Sequence, residues 1–430
     1  MKKKIKTKPH IMILSGVWPH IKGNKEAANV ICHEVASKML NSGRFQISYC
    51  VINAFNVSMP EIAGNEVAEL KDSGMQFLGP LKIPVSPVAN QWWQKLIALF
   101  SRRLDKLLVG TDRHKLLIEL PEFNMPDAVL VVWSEQAGYL ASLMPCQRFN
   151  YAGNPDYKVL EARAELDLRL GKLSLIRKIR DRLIYLAVQI GHINSMRRYD
   201  LMWNVAANDA LEYAAKGVNA KYLQNMWPKK VSNVDSNISK REEQFHPLKI
   251  VGNVGNLFAT GNSFGLITLV KEIIPILRTR LGKGEFEIHL FGAGEPHKAV
   301  APLLKDPHVK LRGFVDDLDS EIISAPIFLV ANNSQNFKVG HTRFLHAWSL
   351  KACIVGFKDS SEAMPEIVHG ENALLGETAE QVANLVIQAA QDSQLRKKIS
   401  MGGIKTLNNY FSPSKVVDKM IKDFEVNYEG

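Results

Sequence analysis

Cysteine is scarce in this chain: four in 430 residues, at Cys32, Cys50, Cys146 and Cys353. They are scattered through apolar patterns, and no two have zinc or redox spacing. That excludes a disulfide scaffold and a Cys-based metal or redox centre, and predicts buried, reduced thiols. There is no apolar run of about eighteen residues, so no membrane-spanning helix is expected. The apolar run that follows the charged start, Ile11 to Leu14, is too short for a secretory signal and meets Gly16 and Pro19. A cytoplasmic protein is expected. Acidic residues are the minority charge, 43 against 54 Lys and Arg, which leaves a net charge of +11. Such a surplus favours phosphates, nucleic acid or an acidic membrane surface as partners. No nucleic-acid motif and no basic–aromatic array accompanies it, so nucleic acid is not expected among them. Internal repeats and low-complexity tracts are also missing.

What is present is ordinary globular material, 46% hydrophobic and 23% charged. The length is too great for one core and predicts two domains. Short apolar runs alternate with amphipathic segments. Strands are expected at Ile11 to Ser15, Gln46 to Asn53, Pro126 to Trp133 and Asp200 to Val205, with helices over Lys25 to Asn41 and from about Asp209. A polar stretch from Pro228 to Pro247 interrupts the alternation. It then restarts with strands at Leu248 to Gly252, Phe286 to Phe291, Val309 to Phe314 and Pro326 to Ala331. Helices are expected at Phe264 to Thr279, Gln381 to Asp392 and Ser393 to Asn408. Strand–helix alternation implies parallel sheets with covered faces. The expected organisation is an N-terminal domain over 1–227, a linker over 228–247, a C-terminal domain over 248–412 and a final helix over 413–430 that crosses back to the first domain. Ligands of such sheets bind beyond the carboxyl ends of the strands, here in the cleft between domains.

The most informative stretch runs from Lys338 to Trp348 (Lys-Val-Gly-His-Thr-Arg-Phe-Leu-His-Ala-Trp) and is followed by an apolar strand at Ala352 to Val355. A glycine loop that feeds a helix start near Thr342 is an anion site, because the first helical N–H groups lack partners and the macrodipole adds positive charge. Arg343 adds a planar fork of donors suited to phosphate oxygens. The plainer reading of this stretch is a β–loop–α turn with a surface arginine.

Four segments together resemble the GT-B-fold glycosyltransferases, in particular the retaining enzymes with a "glycosyl transferases group 1" C-terminal domain. Phe286 to Pro296 resembles that family's strand ending in Gly-x-Gly. Val309 to Val315 is similar to its strand ending in Gly-Phe-Val. Gly340-His-Thr-Arg-Phe-Leu-His-Ala347 is similar to its donor loop, and Glu366 to Leu374 to its Glu-Ile-Val segment. The resemblance is strongest from Leu248 to Phe411 and looser in the N-terminal half. It implies an α/β architecture of two Rossmann-like domains with parallel sheets facing across a cleft. It also implies a metal-independent transfer, stereochemical retention, no cofactor and a nucleotide-sugar co-substrate. The family's two donor-loop glutamates, eight positions apart, fall here on Lys338 and His346. Lys338 could meet a phosphate or an acidic sugar, and His346 a ribose hydroxyl.

By family position, Arg343, Thr342, His341 and Gly340 form the diphosphate cradle, with N-capping as the alternative role of Thr342. Asn262 contacts phosphate or only forms a turn. Gly292 and Gly294 are a lone Gly-x-Gly. Gly313, Phe314 and Val315 lie where the base is held. Glu366 borders the donor or is a solvated loop carboxylate. Glu135, just after an N-terminal strand, is placed as a catalytic or acceptor-binding group beside Arg343 and Lys338. Gly16, His20, Gly23, Asn24 and Glu26 form the loop where acceptor and phosphate approach. No metal ligands are expected. The segment Gln91 to Leu108 reads as a basic amphipathic helix, and Arg163 to Arg182 as a second basic segment. The first suits an anionic membrane surface or is a packed helix with a solvated basic edge, and the two together suit a membrane surface or an anionic acceptor.

The expected function is transfer of a sugar from a nucleotide-sugar donor to a glycan or lipid-linked acceptor, in cell-surface polysaccharide or glycoconjugate synthesis. The site would lie at the inner face of the membrane. The alternative is a non-catalytic GT-B-like protein that binds a glycan or partner, motivated by the missing glutamates.

Overall fold

Continuous apolar runs form the strands, and every ladder among the described residues is parallel. The computed structural model describes residues 8–21, 27–53, 61–82, 125–171, 175–228, 246–334, 338 and 341–429. The expected basic helix Gln91 to Leu108 and most of the linker lie outside them. The chain divides into two compact units: Met1–Tyr157 with Ile179–Pro228 and Pro413–Gly430, and Lys158–Lys178 with Lys229–Ser412.

The first unit holds β1 (His10–Ser15), β2 (Gln46–Asn53), β3 (Gln76–Lys82), β4 (Ala128–Val132), β5 (Gln147–Ala152), β6 (Leu201–Asn204) and β7 (Ala220–Tyr222), in the sheet order β3-β2-β1-β4-β5-β6-β7. All five residues of β4 are buried, as a strand covered on both faces requires. The helices that precede β8 in chain order are α1 (Ala27–Asn41), α2 (Glu61–Asp72), α3 (Glu135–Ala141), α4 (Asp156–Arg169), α5 (Leu175–Met196) and α6 (Ala207–Ala215), of which α4 from Lys158 onward and the first turn of α5 group with the second unit. Helix α1 buries Ile31, Val35 and Met39 at helical spacing. The helix Pro413–Glu429 packs here too. Val416, Val417, Met420 and Phe424 join this core, and the Phe424 ring lies 4.6 Å from that of Phe149. Order reverses between β1 and β4, so the loops after these two strands flank the sheet's switch point.

The second unit holds β8 (Leu248–Val254), β9 (Phe286–Phe291), β10 (Val309–Gly313), β11 (Ile327–Val330), β12 (Cys353–Phe357) and β13 (Leu374–Gly376), ordered β10-β9-β8-β11-β12-β13. Its helices are α7 (Thr260–Thr268), α8 (Ile274–Leu281), α9 (Leu318–Ile323), α10 (His341–Ser349), α11 (Ser360–Ala363), α12 (Ala379–Gln391) and α13 (Ser393–Tyr410). Its switch point lies between β8 and β11.

Two expectations are corrected. The single helix expected over Phe264 to Thr279 is split by a π turn, Leu269–Ile273, just before Pro275. Proline has no N–H to donate to Lys271, and the wider turn accommodates the loss. Residues 158–178, expected inside the first domain, group with the second unit. Ala162 and Leu166 belong to its core, and the Arg169 guanidinium stacks 4.8 Å from the Phe264 ring.

Burial holds the imidazoles of His10, His33 and His289 below their ordinary value of 6.5, against the pull of Asp127, of Glu34 with Glu66 and Glu69, and of Glu287. A folded pKa depressed below the unfolded one adds stability above the unfolded value, and that stability is lost as pH falls through the folded value. Melting temperature is therefore expected to fall from about pH 7 to about pH 5. Glutamine at all three positions should flatten the slope. A melting temperature that holds or rises on acidification would contradict this.

Candidate functional site

In the second unit, the third residue of each helix that leaves the switch point carries the chemistry. Helix α7 follows β8 and brings Asn262; helix α10 follows β11 and brings Arg343. Arg343 Nε donates to the carbonyl of Val254, at the end of β8, at 3.0 Å. One of its terminal nitrogens donates to Asn262 Oδ1. The Asn262 amide in turn donates to the Asn256 carbonyl at 2.5 Å. Arg343 thus bridges the two loops at the switch point. Desolvation lowers its pKa from 12.5 to about 10, which leaves it a cation at neutral pH. A guanidinium has five N–H donors, and these contacts use two of them.

The glycines are set by close approach. Gly292 has φ of 143°, and a Cβ there would stand 1.8 Å from the Gly255 carbonyl oxygen. Its N–H donates to the Gly313 carbonyl at 2.8 Å. Gly294, at φ of 86°, faces the Asn256 side chain. The Gly-x-Gly segment therefore lets the ends of β8, β9 and β10 meet. Phe314, next to Gly313, is 76% exposed, so it is an available face and not core.

The two departures from the family motif are both engaged by acids. Lys338 Nζ lies 3.0 Å from Asp359 and 3.8 Å from Glu362. Burial raises the Asp359 pKa, and Lys338 pulls it back. His346 Nε2 lies 2.7 Å from Asp319. Glu366 is partly buried, and its carbonyl accepts from Asn372 at 2.7 Å. Thr342 lies in the first turn of α10 beside Arg343. His341 begins that helix, Val315 follows Phe314 in the loop after β10, and Gly340 lies outside the described residues.

In the first unit, Gly16 after β1 and Ser134 after β4 meet at the switch point, where a Cβ on Gly16 would stand 3.2 Å from Ser134 Oγ. Ser134 caps α3 by accepting from the Ala137 N–H at 3.2 Å. Glu135 is the first residue of that helix. Its carboxylate accepts from the Tyr139 hydroxyl at 2.9 Å, and that hydroxyl is 2.7 Å from His192 Nδ1. His192 Nε2 is 2.6 Å from the Tyr213 hydroxyl. Glu135 is therefore held at the outer end of a buried chain of polar groups. His20 is buried, on the loop after β1. Gly23, Asn24 and Glu26 lie outside the described residues.

Sequence reasoning missed five residues here. Asn332 and Asn333 directly follow β11; Asn333 accepts from Thr268 at 2.8 Å, and Asn332 Nδ2 is buried with no partner among the described residues. The paired asparagines at the end of an apolar run were the available signal. Asp319 and Asp359 carried none, since each meets its partner across about twenty residues or more. Trp133 adopts φ of 49°, a left-handed conformation in a bulky residue directly before Ser134. Such strain gathers at functional loops, and nothing local in the sequence announces it.

A family model described as "Glycosyl transferases group 1" matches residues 248–392. No curated protein matches the sequence. Among solved structures, HepE of Anabaena, crystallised with UDP and glucose, is 14% identical; the match covers 96% of this chain and 99% of HepE, with a TM-score of 0.57. A sucrose-phosphate synthase from Thermosynechococcus elongatus is 11% identical, covering 98% of this chain and all of that one (100%), with a TM-score of 0.59. WaaG, a glycosyltransferase involved in lipopolysaccharide biosynthesis, is 11% identical over 95% of this chain and 99% of its own, with a TM-score of 0.55. At these identities the structures establish the fold, and the family model establishes the domain. The chain thus has the two-domain GT-B fold, and its residues 248–392 match the glycosyl transferases group 1 domain.

Proposed function

We propose that this chain moves a sugar from a nucleotide-sugar donor to a hydroxyl of a glycan or lipid-linked acceptor, with retention at the anomeric carbon. The product would be a cell-surface polysaccharide or glycoconjugate, made in the cytoplasm at the inner face of a membrane. The observation that carries this reading is Arg343 in the first turn of α10, tied to Asn262 and Val254 at the switch point. In the reaction the bond from the anomeric carbon to the diphosphate breaks, a bond to the acceptor oxygen forms, and the acceptor hydroxyl's proton passes to the departing diphosphate. Negative charge then grows on the leaving diphosphate. The Arg343 cation and the α10 N-terminus offset that charge where it develops, and fixed donors lower the barrier because they need no reorganisation. Gly292, Gly294 and Gly313 allow the donor close to the backbone, and the exposed Phe314 offers a face to the base. Glu135, held by Tyr139, orients the acceptor hydroxyl. HepE was crystallised with UDP and glucose, which supports a nucleotide-sugar donor here.

One observation favours a second reading, a non-catalytic glycan- or partner-binding protein. Lys338 and His346 replace the family's glutamates, and each is already paired with an aspartate. An assay separates the two. The full chain is incubated with radiolabelled UDP-, GDP-, ADP- and CMP-sugars and a membrane glycolipid extract. Label from one donor class is expected in the glycolipid or polymer fraction. Bound nucleotide without labelled product from any donor would favour the second reading.

A further inference from the structure

Helix α5 carries an apolar stripe that the described residues leave exposed. Ile176, Ile179, Leu183, Leu186 and Ile190 are spaced by three and four residues and are 81, 55, 56, 36 and 44% exposed. At about 100° per residue all five fall on one side of the helix. The other side is occupied: Tyr185, His192 and Met196 are buried in the first unit. Scattered exposed leucines need no explanation, but five in register on one helix do.

The charges on the same helix identify what covers the stripe. Arg180 and Arg182 lie about 80° to either side of its centre, and both are exposed. Arg177, Lys178, Arg180 and Arg182 against Asp181 leave a net +3 in its N-terminal half. The 2.7 Å Arg180–Asp181 contact is an exposed ion pair and holds little energy. From Leu183 to Met196 there is no Asp or Glu. A second copy of the helix would therefore lay arginines against arginines in parallel, or against uncharged residues when antiparallel. Neither arrangement supplies the carboxylates that a coiled-coil seam uses beside its apolar core. Among the described residues no helix is long and apolar enough to cross a membrane. An apolar stripe edged by arginines, on a helix that cannot span, suits the headgroup level of an anionic bilayer, with the stripe in the acyl boundary and the guanidinium groups at the phosphates.

We propose that the exposed face of α5 docks the enzyme on an anionic lipid surface through Ile176, Ile179, Leu183, Leu186 and Ile190, with Arg180 and Arg182 as the flanking phosphate contacts. The proposal refines the membrane part of the functional reading above and is independent of donor chemistry.

The test is co-sedimentation of the full chain with vesicles of pure phosphatidylcholine and of phosphatidylcholine with one part in three phosphatidylglycerol. Wild type is expected to bind only the anionic vesicles, less as salt rises. Ile179→Asp with Leu183→Asp should weaken binding about tenfold or more, and Arg180→Glu with Arg182→Glu comparably. All four side chains are exposed, so both variants should melt as wild type does and keep any nucleotide-induced stabilisation. The proposal is overturned if wild type ignores anionic vesicles, or if the stripe variant binds them as wild type does. It is also overturned if wild type is a concentration-dependent dimer that the stripe variant abolishes, which would make the face a self-interface. Loss of the nucleotide response in wild type would instead count against the donor reading and leave the vesicle result standing.

Discussion

Gly292→Ala is expected to destabilise the second unit by about 2–6 kcal/mol, because two independent costs add. The backbone at φ of 143° is closed to L side chains, and strain of this kind costs about 1–3 kcal/mol. The new methyl would also stand 1.8 Å from the Gly255 carbonyl oxygen, a backbone atom that cannot rotate away. Overpacking of that order costs about 1–3 kcal/mol more. For a unit of this size the fall in melting temperature is roughly 4–24 °C. Gly284→Ala is the matched control: its φ is 88°, and a Cβ there meets nothing within 4 Å. It should show the strain alone. Equal effects of the two substitutions would mean that the contact between Gly255 and Gly292 yields without cost. Because this contact sets the ends of β8 and β9, the alanine variant should also lose nucleotide binding at temperatures where it remains folded.

Arg343→Ala is expected to lower kcat/KM by about 100- to 1,000-fold, the usual loss when a fixed donor to developing charge is removed. The same change strips the donor from the Val254 carbonyl and from Asn262 Oδ1, so about 1–3 kcal/mol of stability should go with it. Arg343→Lys separates the two roles. Lysine keeps the positive charge but not the planar fork that reaches Val254 and Asn262 together. It should recover part of the rate and little of the stability. Full recovery of both would show that only charge matters at this position. A wild-type rate in Arg343→Ala would remove Arg343 from the chemistry.

Both substitutions act at places the sequence already marked. Gly292 ends an apolar run, and Arg343 stands where a glycine loop meets an amphipathic segment; periodicity and turn chemistry are local, and both sheets were legible for the same reason. The partners were not legible. Lys338 reaches Asp359 and Glu362, His346 reaches Asp319, and Glu135 is held through Tyr139 by His192; each pairing joins residues that only the fold brings together. The grouping of 158–178 with the second unit is of the same kind, since the apolar face of α4 does not say which core it will enter. The α5 stripe shows the converse. Its spacing is written in the sequence, but only the packing of the opposite face reveals that the stripe stays exposed.

The most direct test of the donor site is thermal unfolding of wild type and Arg343→Ala with UDP, GDP, ADP and CMP, each variant compared with itself ligand-free. A ligand at about 100 times its Kd adds about 2.7 kcal/mol, which here raises the melting temperature by roughly 5–11 °C. One nucleotide should stabilise wild type to that extent and leave Arg343→Ala nearly unmoved. Stabilisation by none of them, or an equal shift in the variant, would contradict a diphosphate held by Arg343 at the β8–β11 switch point.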